Sequence, residues 1–123
     1  MDALMERAVR AGRKFLERSG YEILDEGWKE PDGAGAIDLV AEDIDGTLVF
    51  VDVSVGEREN GFGESPRTRA MREASAAGWL YCNGAAVENG EIRFDDIALM
   101  IVGERRAFLR HTLNSLCGEG VSR

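Results

Sequence analysis

Residues 36 to 55 decide the fold: Ala36-Ile37-Asp38-Leu39-Val40-Ala41, then the turn Asp43-Ile44-Asp45-Gly46, then Leu48-Val49-Phe50-Val51-Asp52-Val53-Ser54-Val55. Both flanking runs alternate with the period of two of pleated backbone, so the segment reads as a β-hairpin. If Ile44, Asp45 and Gly46 form a three-residue loop with Gly46 left-handed, position 43 pairs with 47, 41 with 49 and 38 with 52. The carboxylates of Asp38 and Asp52 then face each other, with Cβ atoms roughly 4.5–5.5 Å apart. Like charges at that distance destabilise a sheet, and a cation or a shared proton removes the cost. Closure of the turn in another register would leave both as solvated strand residues. On the derived register Ala36 opposes Ser54.

On the N-terminal side, Leu4, Ala8, Ala11 and Phe15 recur at helical spacing from about Ala3 to Arg18, with Met5, Gly12 and Leu16 widening the stripe. Ser19-Gly20 ends that helix. Tyr21 to Leu24 reads as a short strand and Asp25 to Gly35 as an irregular stretch. Beyond the hairpin, Gly56 to Pro66 reads as a flexible loop and Pro66 to Tyr81 as a helix with Met71, Ala74, Ala77 and either Leu80 or Trp79 turned inward. Ile92, Phe94 and the run Ile97 to Val102 predict a mostly buried strand, and Arg105 to Leu116 a closing helix. The order αβββαβα predicts one α/β domain over residues 1–123, a three-layer sandwich around a small mixed sheet.

Composition narrows the function. A chain of 123 residues supports one core. With 44% hydrophobic and 31% charged residues it resembles an ordinary soluble protein, and no apolar run is long enough to span a bilayer, so a cytoplasmic location is expected. Cys82 and Cys117 lack metal-site spacing and read as two reduced, packed thiols. His111, the only histidine, reads as a surface or helix-end residue. A net charge of −8 opposes nucleic-acid binding by broad attraction but leaves room for a local basic face. Arg58, Arg67, Arg69 and Arg72 cluster after the second hairpin strand, and Arg7, Arg10, Arg13, Lys14 and Arg18 crowd the first helix.

Asp38, followed after thirteen residues by Asp52-Val53-Ser54 on a helix-first hairpin scaffold, resembles the restriction-endonuclease-like PD-(D/E)xK superfamily. Phe15-Leu16, Gly20 to Leu24, Trp28, Gly35 to Val40, Leu48 to Val53, Phe62-Gly63 and Phe94-Asp95 resemble one branch, the YraN-like family of predicted endonucleases. The likeness runs from about Ala8 to Leu116. It implies that Asp38 and Asp52, with the Val53 carbonyl, hold a divalent cation, Mg2+ or Mn2+, and serve phosphodiester hydrolysis. A hard cation suits these oxygen donors, polarises the phosphodiester and acidifies a water.

The departures from that pattern are specific. The family's lysine falls at Ser54, which cannot supply its charge. The glutamate usual before Ile37-Asp38 is Ala36, and the first-helix glutamate falls at Val9. Glu6 lies one turn earlier and about 60° around the helix, at the edge of the apolar face, and is the candidate substitute. A basic position after the loop is Thr68, flanked by Arg67 and Arg69. Lys29 is the candidate for a relocated lysine, although Glu30 and Asp32 offer it nearer partners. Asp95 fits a cap or a structural pair.

These residues support two main readings. One is a metal-dependent nuclease or nucleic-acid-processing relative, acting on DNA or RNA, with Arg58, Arg67 and Arg69 toward phosphate and with catalysis impaired by Ser54. The other is a non-catalytic interaction or assembly module that binds neither metal nor nucleic acid. A third, weaker reading is self-association into a homodimer through the Phe62 loop or the C-terminal helix. No G-x-G-x-x-G, Walker lysine or Cys/His pair points to a small-molecule cofactor or a hydrolase triad.

Overall fold

The computed structural model describes residues 3–57, 61–62, 65–83 and 91–117. Its order is α1 (Ala3–Arg18), β1 (Glu22–Lys29), β2 (Ala36–Glu42), β3 (Leu48–Glu57), α2 (Arg69–Asn83), β4 (Ile92–Gly103) and β5 (Arg106–Thr112), then a 3-10 turn at Ser115–Cys117. The strands form one mixed sheet in the order β1-β2-β3-β4-β5, antiparallel except for the β3/β4 pair. A parallel pair needs a long crossover, which α2 provides.

The hairpin closes as the sequence predicts. Asp43 N donates to Thr47 O at 3.0 Å, Gly46 N donates to Asp43 O at 3.0 Å, and Gly46 has φ 87°. Asp43 Oδ1 also accepts the N–H groups of Asp45 and Thr47. The ladder runs from Glu42↔Leu48 to Leu39↔Val51, the expected register, and stops one residue short of Asp38 and Asp52.

Helix α1 packs Ala8, Val9 and Leu16 onto Leu39, Ala41, Val49, Val51, Val53, Ile97 and Leu99. It ends in a glycine C-cap: Gly20 has φ 96°, Tyr21 N donates to Leu16 O and Gly20 N to Glu17 O. Helix α2 covers the other face, setting Ala76 and Trp79 against Ile37, Val40, Leu48 and Phe50. The result is a three-layer α/β/α arrangement.

Three expectations are corrected. The predicted closing helix over 105–116 is instead strand β5, which pairs with β4 from Asp96↔Thr112 to Gly103↔Arg106. Pairing to a strand edge supplies backbone partners that local helical spacing could not reveal. The first part of the stretch read as irregular, Asp25 to Lys29, belongs to β1, which is bulged between Ile23 and Asp25 and carries Gly27 at φ 66°. The inward face of α2 is Arg72, Ser75, Ala76 and Trp79, about one residue around from the predicted one, and Met71 is exposed. Arg72 is buried because Asp95 O accepts a hydrogen bond from its Nη2 at 2.9 Å and Asp96 Oδ1 lies 2.8 Å from its Nη1 as an ion-pair partner.

Two smaller readings also change. Cys82 is exposed rather than packed. His111 lies on β5 with its ring edge-on to Phe15 and Tyr21, bonded to Asp95, rather than at a surface or helix end. Among the described residues, no helix is long and apolar enough to cross a membrane.

Candidate functional site

Beyond Leu39↔Val51 the hairpin ladder gives way to side chains. Asp38 Oδ2 accepts the Val53 backbone N–H at 2.8 Å, so a carboxylate takes over an N–H beyond the last paired residues. Asp38 and Asp52 are 2% and 5% exposed. Two buried carboxylates this close need compensating charge. The compensation is Arg67, whose Nη1 donates to Asp38 Oδ2 at 3.0 Å and to Asp52 Oδ1 at 2.5 Å.

Burial pushes the Asp38 carboxyl up. The Val53 N–H and the Arg67 charge pull it back and Asp52 pushes it up again, leaving it above its ordinary value of 3.8. Burial works against the Arg67 charge too, but the two carboxylates outweigh it and hold the guanidinium protonated. One guanidinium serves two carboxylates, and Asp52 Oδ2 is buried without a hydrogen-bond partner among the described residues. Beside it lies a cavity of about 10 Å³, lined by Ala36, Arg72, Ser75 and Phe94 among others, close to the room one water needs.

The acidic row extends one strand further than the sequence reading took it. Asp96 pairs in register with Asp52 across the parallel β3/β4 ladder, and Arg72 holds it. Arg67, just before α2, and Arg72, in its first turn, thus bring two guanidinium groups to three carboxylates on β2, β3 and β4. The signal in the sequence was Asp95-Asp96 at the entry to a buried strand with Arg67 and Arg72 one helical turn and a residue apart, but it needs the β3/β4 register to be legible.

The other candidates fall around this pair. Val53 is buried beside it. Glu6 is exposed and lines a different cavity, with Val9, Arg10, Glu26, Gly27 and Lys29, while Met5 rather than Glu6 borders the cavity that reaches Asp38. Lys29 borders that 240 Å³ cavity together with Asp38 and Arg67, and an adjoining one of 440 Å³ with Arg67, Met71 and Ser75. Arg69 is exposed and paired to Glu73 within its own helix. Arg58 and Gly63 lie outside the described residues. Phe62 sits under Arg110, 4.5 Å from guanidinium to ring centre.

A divalent cation here would take Asp38 and Asp52 as hard oxygen donors. The unpartnered, buried Asp52 Oδ2 fits that role, as do carboxylates fixed on rigid strands. The protein supplies few further ligands: among the described residues, no three His, Cys, Asp or Glu side chains converge as a metal cluster. Water would complete the shell.

Asp95, expected as a structural pair, is one. It is fully buried and accepts from Arg93 Nε at 2.8 Å, Arg93 Nη2 at 3.0 Å and the Asn114 N–H at 2.9 Å, with His111 Nε2 also 2.9 Å away. Burial pushes its carboxyl up, but these partners outweigh burial and leave it below the ordinary range.

The fold and site define a small α/β domain with paired carboxylates at the open end of a hairpin. The model of the uncharacterised protein family UPF0102 matches residues 8–99, and the chain belongs to that family, the YraN-like family of the sequence reading. It is 37% identical over 86 residues to the UPF0102 protein CE1920 of Corynebacterium efficiens, covering 68% of this chain and 66% of that protein. It is 32% identical over 114 residues to a UPF0102 protein of Beutenbergia cavernae, covering 89% and 92%.

Proposed function

We propose that this chain is a nuclease-fold domain that keeps a divalent-metal and nucleic-acid site but hydrolyses phosphodiesters poorly. The observation that carries this reading is the buried Asp38/Asp52 pair, set on adjacent strands beside a cleft that Lys29 and Arg67 border. A bound cation would polarise a phosphodiester and lower the pKa of a coordinated water. The chain's own residues contribute less: Ser54 stands where the resemblance places a lysine, and Val9, buried in the core, where it places a helix glutamate. Lys29 and Arg67 supply positive charge toward a backbone phosphate, a local attraction within an acidic protein.

Fluorescence anisotropy with labelled single-stranded, duplex and branched DNA in Mg2+ tests the reading. Saturable binding to at least one of them, weakened by salt and by Lys29→Ala, is expected. Absence of saturable binding to all three would overturn it.

A further inference from the structure

We infer that Arg67 is the resident cation of the aspartate pair, so that a divalent ion enters only by displacing its guanidinium. The divalent competitor comes from the proposed function, while the placement of Arg67 does not. Arg67 Nη1 lies within hydrogen-bond distance of one oxygen from each carboxylate, Asp38 Oδ2 and Asp52 Oδ1. An ion held between the two carboxylates would need the place that nitrogen occupies, so the guanidinium and the ion would compete for it. The exchange has a Coulombic drive, opposed by dehydration of the ion, because two carboxylates and one guanidinium leave a net charge of −1 and, among the described residues, a buried oxygen without a hydrogen-bond partner, Asp52 Oδ2. A divalent ion brings one more positive charge than the arginine and has that oxygen to bind.

The arginine also has somewhere to go. It precedes α2 rather than lying within it, its side chain is 27% exposed, and it borders cavities of 240 and 440 Å³. Asp38 and Asp52, by contrast, stand on paired strands and stay. The Val53 N–H continues to hold Asp38 when Arg67 leaves, so the carboxylates remain presented to the incoming ion.

Calorimetric titration of MnCl2 into the wild-type chain and Arg67→Gln tests this. Removing the competitor is expected to tighten Mn2+ binding about tenfold, within the 5- to 150-fold span usual for coupled sites. Equal or weaker binding by a folded Arg67→Gln, or no binding by either protein, would overturn the inference. If Arg67→Gln does not fold, NMR of the wild type decides. Addition of Mg2+ should shift the Arg67 Nε–H resonance and the Asp38 and Asp52 carboxyl carbons with one midpoint. Carboxyl shifts with an unmoved Arg67, or no carboxyl shift, would contradict it. Anisotropy without metal separates this result from the proposed function, since nucleic-acid binding can persist when the exchange fails.

Discussion

Arg67 Nη1 meets Asp52 Oδ1 at 2.5 Å, and the same nitrogen reaches Asp38 Oδ2. The opposed carboxylates that the hairpin register predicts do require a cation, and the chain carries one of its own. Arg67 offsets one of the two negative charges from within the chain, which lowers the cost of burying the pair.

Removing that charge should cost stability. Arg67→Gln leaves two buried carboxylates facing each other, and loss of one partner of a buried ion pair costs about 3–5 kcal/mol; with Arg67 about a quarter exposed, the lower end of that span is expected. The loss should shrink in acid. Asp38 has a raised carboxyl, so the folded state binds its proton more tightly than the unfolded chain, and its penalty fades as pH falls. Urea unfolding of both proteins at pH 7 and pH 4.5 in EDTA checks this, and a gap that widens in acid would refute it.

Asp95 should behave with the opposite sign. Its carboxyl lies below the ordinary 3.8, so its contribution is present above that value and is lost as pH falls through the folded pKa. Asp95→Ala takes from Arg93 its fully buried carboxylate, leaving it Asp43 and the Tyr21 hydroxyl, and should cost about 3 kcal/mol at neutral pH. Its acid unfolding limb should also be flatter than that of the wild type, which an unfolding series from pH 7 to pH 2.5 would show.

Gly35 should resist substitution for steric reasons. A Cβ there would lie 2.7 Å from Ser75 Oγ and 2.8 Å from Glu30 Oε1. Glu30 can swing aside, but Ser75 is short and buried. Gly35→Ala is expected to cost about 1–3 kcal/mol, the usual range for overpacking, and Ser75→Ala should recover much of it. Additive losses in the double variant would show that the contact is not the cause.

What the sequence disclosed follows the range of its signals. The hairpin was legible because turn chemistry and alternation both lie within twenty residues, and α1 because its stripe and its Ser19-Gly20 stop agree. Strand β5 was not: Phe108, Leu109, Leu113 and Leu116 satisfy helical spacing, while its actual partner is the edge of β4. The face of α2 was misread because a buried arginine, Arg72, looks like a surface residue until Asp96 is placed beside it. The aspartate pair was visible as residues. Its counter-ion was not, since Arg67 reaches Asp38 across 29 positions and reads in the sequence as one of several arginines turned toward phosphate.

The central claim is a retained carboxylate centre without the groups that drive hydrolysis. Single-turnover cleavage of end-labelled single-stranded, duplex and branched DNA in Mg2+ and in Mn2+, comparing wild type with Asp52→Asn, tests it most directly. The wild type should cleave no more than slightly faster than Asp52→Asn, because Ser54 supplies no cation to the reaction. Rapid cleavage by the wild type that Asp52→Asn abolishes would contradict impaired hydrolysis.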